Sequence, residues 1–77
     1  MYAYIAKSRM SSKQIRKVAA HEVLVKGRVL RQAVVEIVGG RVVDCYPFSE
    51  EQPMTEWLGG TIEIRGDKAY WNEQRLQ

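Results

Sequence analysis

A second cysteine is missing from this chain, so no internal disulfide can form around Cys45. Histidine is equally scarce. His21 stands alone, and one thiol with one imidazole cannot build a tetrahedral Cys/His zinc site. No apolar run approaches the ~20 residues needed to span a bilayer. The apolar stretch within Met1-Tyr2-Ala3-Tyr4-Ile5-Ala6-Lys7 is too short for a signal peptide. A Gly-rich phosphate loop, a paired-histidine metal motif, a serine nucleophile elbow and a redox cysteine pair are all absent. The expectation is a cytoplasmic protein with a reduced thiol, no cofactor, and no catalytic or metal-ligating residues. Cys45 lies in an apolar run, where a lone cysteine is more often a buried small hydrophobe than a reactive thiol.

What the chain does have is turn chemistry. Gly39-Gly40 separates Ala33-Val34-Val35-Glu36-Ile37-Val38 from Arg41-Val42-Val43-Asp44-Cys45-Tyr46. Gly66-Asp67 separates Thr61-Ile62-Glu63-Ile64-Arg65 from Lys68-Ala69-Tyr70-Trp71-Asn72. Two β-rich runs joined by a two-residue turn containing Gly form a hairpin, because Gly reaches the positive φ that the favoured turns require. The 77 residues make one domain, spanning 1–77, that buries only about 60% of its unfolded surface. The fold class expected is all-β: a small antiparallel sandwich or partly open barrel of about five strands built on two hairpins.

Along the chain, Tyr2-Ala3-Tyr4-Ile5 reads as a short leading strand and residues 7–14 as a flexible linker. Residues 17–25 read as a strand. The competing reading is a short helix, because Ser11 and Gln14 have capping-box spacing and Ile15, Val18 and Ala19 have helical spacing. Lys26-Gly27-Arg28 turns the chain into the next strand. The first hairpin admits two registers. A two-residue turn sets Glu36 opposite Val43. A three-residue loop with a bulge gathers Ala33, Val35, Ile37, Val43 and Cys45 on one face but sets Glu36 against Asp44. The second hairpin pairs Ile64 with Ala69 and Ile62 with Trp71, leaving Glu63, Arg65, Lys68 and Tyr70 on a solvated face. The core is therefore expected to contain Val35, Ile37, Val43, Ile62, Ile64 and Trp71, with Trp57 closing one end.

Charge is unevenly spread. Residues 1–31 hold eight Lys and Arg side chains against Glu22 alone, whereas residues 32–77 hold eight acids against Arg41, Arg65, Lys68 and Arg75. Lys7, Arg9, Lys13, Arg16 and Lys17, with Tyr2 and Tyr4 upstream, form the candidate nucleic-acid surface, since cations meet phosphates and aromatic rings stack on unpaired bases. The plainer reading is that the oppositely charged segments meet within the fold or between copies of it. Neither His21 next to Glu22 nor Glu50-Glu51 makes a site. Adjacent strand residues point to opposite faces, and an oxygen-ligated cation needs roughly six ligands.

Residues 16–66 resemble a known family. Arg16 to Val25, then Val34-Val35-Glu36-Ile37, then Gly39-Gly40-Arg41-Val42-Val43-Asp44 are similar to the small N-terminal β-sandwich segment of amidohydrolase-superfamily metal-dependent hydrolases. Glu56-Trp57-Leu58-Gly59-Gly60-Thr61-Ile62-Glu63-Ile64 resembles that family's approach to its catalytic barrel. The family continues into a His-x-His metal pair, where this chain has Arg65-Gly66-Asp67-Lys68 and no later histidine. The resemblance thus implies a β module without the barrel, and no catalytic residue carries over. The function expected is a non-catalytic β module acting through protein contacts or as a stand-alone composite domain, with no membrane partner. A homodimer is the expected assembly, with Tyr2, Tyr4 and Ile5 as its interface. The alternative is a small basic nucleic-acid-binding domain.

Overall fold

The computed structural model describes residues 15–77. The expected leading strand at residues 2–5 and linker at 7–14 lie outside them. Seven strands form one sheet: β1 (Ile15–Val25), β2 (Arg28–Val38), β3 (Arg41–Pro47), β4 (Glu56–Trp57), β5 (Thr61–Arg65), β6 (Lys68–Trp71) and β7 (Gln74–Leu76). Their order is β3-β2-β1-β5-β6-β7, with the short β4 also lying on β1. The all-β class and both hairpins are as expected. Two short strands, β4 and β7, join the sheet, and it is mixed because β1 runs parallel to β4 and β5. Residues 15–20 are strand, so the helical reading is set aside.

Two-residue turns punctuate the chain at 26–27, 39–40, 66–67 and 72–73. Lys26 and Gly27 both have positive φ, as do Gly39 and Gly40, matching the primed turns whose twist suits antiparallel strands. Asn72 and Glu73 repeat the pattern without glycine, at φ 53° and 64°. That fourth turn returns the chain into β7 and buries Leu76. The φ of +79° at Gly40 favours glycine, and an added Cβ would also press on the Arg75 guanidinium at 3.2 Å.

The first hairpin uses both expected registers in succession. Val38 pairs with Arg41 and Ile37 with Val42 across the two-residue turn; the register then shifts, and Glu36 pairs with Asp44 and Val35 with Cys45. Val43 is the residue left over at this bulge, and it is 57% exposed. Its expected place in the core is therefore taken by Val42, which packs against the buried cluster. The Glu36–Asp44 repulsion is relieved locally. Glu36 Oε2 accepts a hydrogen bond from Tyr46 Oη at 2.6 Å and lies 4.0 Å from Lys17 Nζ. Asp44 Oδ1 folds back onto the Cys45 backbone N–H at 2.8 Å.

The sheet coils without closing into a barrel. Its two wings touch where the Val42 N–H donates to Asp67 O at 2.7 Å, beside the Arg41–Asp67 ion pair at 3.4 Å. Arg75 Nη2 donates to Gly40 O at 3.2 Å. Inside the coil sit Val18, Ala20, Val23, Ala33, Val35, Ile37, Ile62, Ala69 and Leu76, with Ile64, Trp71 and Leu58 packed against them. Trp57 does not plug the core; it is 53% exposed, and its neighbour Leu58 turns inward instead.

One level of the sheet breaks the period of two. On β1 the core residues run Val18, Ala20, then Val23; on β2 they run Ile37, Val35, Ala33, then Leu30. A step of three moves the following residues to the other face. The step falls at His21 and Gln32, between the Ala20–Ala33 and Glu22–Arg31 pairs. Gln32 has φ 53°, the only left-handed residue inside a strand among the described residues. On the other side of β1 the chain jogs at the same level. Val18–Glu56 and Ala19–Trp57 give way to Glu22–Thr61 one residue out of step, and the left-handed Gly59 and Gly60 absorb the extra residue. The Leu58 N–H to Ala19 O and Glu22 N–H to Gly60 O bonds hold the jog in place.

This packing predicts a contrast between two aliphatic positions. Ile62→Ala, in a fully buried site, should cost about 2–5 kcal/mol, against a total stability on the order of 5–10 kcal/mol. Val43→Ala, on the exposed bulge, should change stability by no more than about 0.5 kcal/mol. Urea denaturation of both variants checks the pair, and equal losses would contradict the bulge.

Candidate functional site

Of the basic residues selected from the sequence, Lys7, Arg9 and Lys13 lie outside the described residues, as do the expected interface residues Tyr2, Tyr4 and Ile5. Arg16 and Lys17 are described, and both are engaged within the fold. Arg16 Nε and Nη2 grip Glu56 Oε2 and Oε1 at 3.0 and 3.1 Å, while Nη1 donates to Gln77 O at 3.0 Å. This two-point pair ties β1 to β4. It holds the Glu56 carboxyl below its ordinary range through hydrogen bonding, and raises the Arg16 guanidinium. Lys17 leans toward Glu36. The basic and acidic segments therefore meet inside the fold, and these two cations are poorly placed to stand as a free phosphate-binding pair.

The outer edge strand β3 is largely closed to further pairing. Val34–Tyr46 and Glu36–Asp44 alternate with Val35–Cys45 and Ala33–Pro47, and Pro47 has no N–H to offer. The Cys45 N–H goes to Asp44 Oδ1 and the Val42 N–H to Asp67 O. A strand whose edge donors are spent in this way resists edge-to-edge addition. Cys45 itself is half-buried, and burial first, then the Asp44 charge, pushes its thiol pKa up. That lowers the thiolate fraction on which reactivity depends.

An open concavity lies beside the irregular level of β1 and β2. His21, Glu22, Arg31, Gln32, Trp57 and Thr61 line an open cleft of about 640 Å³. Its aromatic wall is braced: the His21 ring meets Trp57 edge-on at 4.8 Å and 89°, and Phe48 meets it from elsewhere at 6.5 Å and 84°. Glu22 Oε1 accepts a hydrogen bond from Thr61 Oγ1 at 3.3 Å. Glu22 and Arg31 are cross-strand partners, yet no ion pair joins them among the described residues. Sequence reading missed this grouping because His21 and Trp57, 36 positions apart, and Glu22 and Thr61, 39 apart, meet only through the parallel β1-β4 and β1-β5 pairings. The available signal was Trp57 beside Gly59-Gly60, an aromatic next to a backbone jog.

Chemically the cleft offers one carboxylate, one guanidinium, one imidazole and an exposed indole. Among the described residues its lining includes no cysteine, lysine or second acid. Among the described residues no three of His, Cys, Asp and Glu are grouped as a metal site would require, and no helix is long and apolar enough to cross a membrane. No family model matches the chain, and no curated protein or solved structure matches it.

The Tyr46–Glu36 bond gives a pH signature. The Glu36 carboxylate accepts from the neutral phenol, which chiefly, with burial, pushes the Tyr46 pKa up to about 12. A raised folded-state pKa contributes stability that is complete below the unfolded value near 10 and is lost as pH rises toward about 12. Ultraviolet titration at the tyrosinate band should show a late-ionising component that Tyr46→Phe removes. A parent protein whose tyrosines all ionise near pH 10 would contradict the bond.

Proposed function

We propose that this chain is a non-catalytic β module of the cytoplasm that acts through protein contacts, first of all with a second copy of itself. The observation that supports this most is a pair of complementary surfaces on one small fold. Met54 stands 91% exposed on the loop between β3 and β4, following the exposed acids Glu50 and Glu51. At the β1–β2 turn, Leu24, Val29 and Ile64 line a hollow of about 360 Å³ together with Lys26 and Arg28. Glu63 borders this hollow too, but Arg65 holds it at 2.9 Å, so the hollow keeps a cationic rim. An exposed apolar side chain on an acidic loop suits an apolar hollow bordered by Lys26 and Arg28, and a two-fold axis would use both contacts twice.

The closed edge of β3 supports side-chain docking over strand addition as the mode of contact. The resemblance to the amidohydrolase β segment points the same way, since it implies the module without the barrel that carries that family's chemistry.

The test is association in solution. Light scattering at micromolar concentration should report about twice the chain mass. Glu50→Lys with Glu51→Lys should weaken the dimer at least about tenfold, as should Lys26→Glu with Arg28→Glu. Mixing the two charge-reversed proteins should restore a mixed dimer, which a merely unfolded variant could not form. A parent that stays monomeric to millimolar concentration overturns the reading. If it then binds single-stranded nucleic acid with a steep salt dependence, the basic-segment alternative takes its place.

A further inference from the structure

We infer that the cleft at His21, Glu22, Arg31, Gln32, Trp57 and Thr61 is a binding site for a neutral carbohydrate chain, separate from the surfaces of self-association. Its shape and its charge both lead there. Trp57 is half-exposed and meets two rings, His21 and Phe48, edge-on. An indole so fixed presents a large apolar surface at little further entropy cost, which is the usual anchor of a recognition site. The C–H face of a pyranose ring matches such a surface.

The polar wall selects among ligands. Glu22 and Arg31 stand side by side on neighbouring strands without pairing, so an acceptor and a donor of opposite charge both face the cleft. A phosphate chain would be attracted by Arg31 and repelled by Glu22; a cationic peptide would meet the reverse. A ring bearing several hydroxyls satisfies both, because each hydroxyl donates to the carboxylate and accepts from the guanidinium. Thr61 orients Glu22 through its 3.3 Å bond, and Gln32 adds an amide with one donor group and one acceptor. Gln32 is also held in the left-handed region in mid-strand, and such conformations concentrate where a surface is shaped for a ligand.

The site binds and does not cleave. Hydrolysis of a glycosidic bond uses two carboxyl groups roughly 5–9.5 Å apart, and among the described residues the cleft has Glu22 alone. Because the cleft is open and shallow, affinity should be weak and should grow with the number of sugar rings that reach the Trp57 wall.

Full-length ¹⁵N-labelled protein titrated with cellotetraose, maltotetraose, mannotetraose and the tetramer of N-acetylglucosamine tests this. At least one probe should shift the His21, Gln32 and Trp57 indole cross-peaks saturably, with a dissociation constant between about 10 μM and 10 mM. Trp57→Ala should weaken that binding at least about tenfold and Trp57→Phe less, while Arg31→Ala and Glu22→Gln should each weaken it several-fold. The exposed positions of Trp57 and Arg31 let these variants fold, and an unchanged spectrum outside the cleft verifies it. No saturable shift with any probe at about 20 mM overturns the inference. So does binding that Trp57→Ala leaves intact, or tighter binding of oligothymidylate than of every neutral probe.

Discussion

The antiparallel ladder between β1 and β2 carries the rest of the molecule. These two eleven-residue strands pair from Ile15–Val38 to Val25–Arg28; β3 attaches to β2, β4 and β5 attach to β1, and β6 and β7 follow in turn from β5. A ladder of that length cannot bury one face throughout and still let the sheet coil around its own core. The chain resolves the conflict at a single level. At His21 and Gln32 the inward face changes over, with the small pair Ala20–Ala33 just before it letting the strands pass closely over the core. The cost is one glutamine in a left-handed conformation. The gain is a coil tight enough for the β2–β3 turn to reach the β5–β6 turn and β7.

Charge is used mainly to fasten that coil. Arg16 joins β1 to Glu56 and to the carbonyl of Gln77; Arg41 joins the start of β3 to Asp67; Arg75 reaches Gly40. Each pair links segments far apart in sequence, and Arg16–Glu56, with Lys17 near Glu36, brings the basic first segment onto the acidic second one. Exposed ion pairs contribute little individually, about 0–1 kcal/mol, and their role here is to fix register and closure. Among the described residues, the groups left outside these pairs include Lys26 and Arg28 at one turn, Glu50, Glu51 and Met54 on one loop, Glu73 at another turn, and the Trp57 cleft. Function is read from those because the other charged groups are largely occupied.

How much of this was legible in the residues depended on whether the information was local. Gly39-Gly40 and Gly66-Asp67 announced their hairpins, and the Ile64–Ala69 and Ile62–Trp71 register followed from the turn alone. Asn72-Glu73 hid a similar turn because a glutamate occupies the second left-handed position, where glycine is the usual sign. Val43 looked like a core residue because alternation was carried through a bulge that only the Glu36–Asp44 pairing reveals. Trp57 was read as a plug because large aromatics are usually buried, whereas the jog at Gly59-Gly60 sends Leu58 inward and Trp57 out. The cleft was beyond local reading altogether, since it forms from β1, β2 and the start of β5 at the one level where each departs from regular pairing. Lys7, Arg9, Lys13 and the Tyr2–Ile5 interface remain expectations of the sequence.

The coil and the cleft both depend on the change of face at Gln32, which one substitution pair tests. In a regular strand, valine would be favoured over glutamine and glycine disfavoured. In the left-handed region the order inverts, because a side chain there costs roughly 1–2 kcal/mol that glycine avoids, and a β-branched one fits worse still. Urea denaturation of Gln32→Gly and Gln32→Val should therefore show the glycine variant at least as stable as the parent. The valine variant should be less stable by more than about 1 kcal/mol. A valine variant as stable as the parent, with the glycine variant weakened, would mean that β1 and β2 pair without the break, and the coil and the cleft built on it would both be wrong.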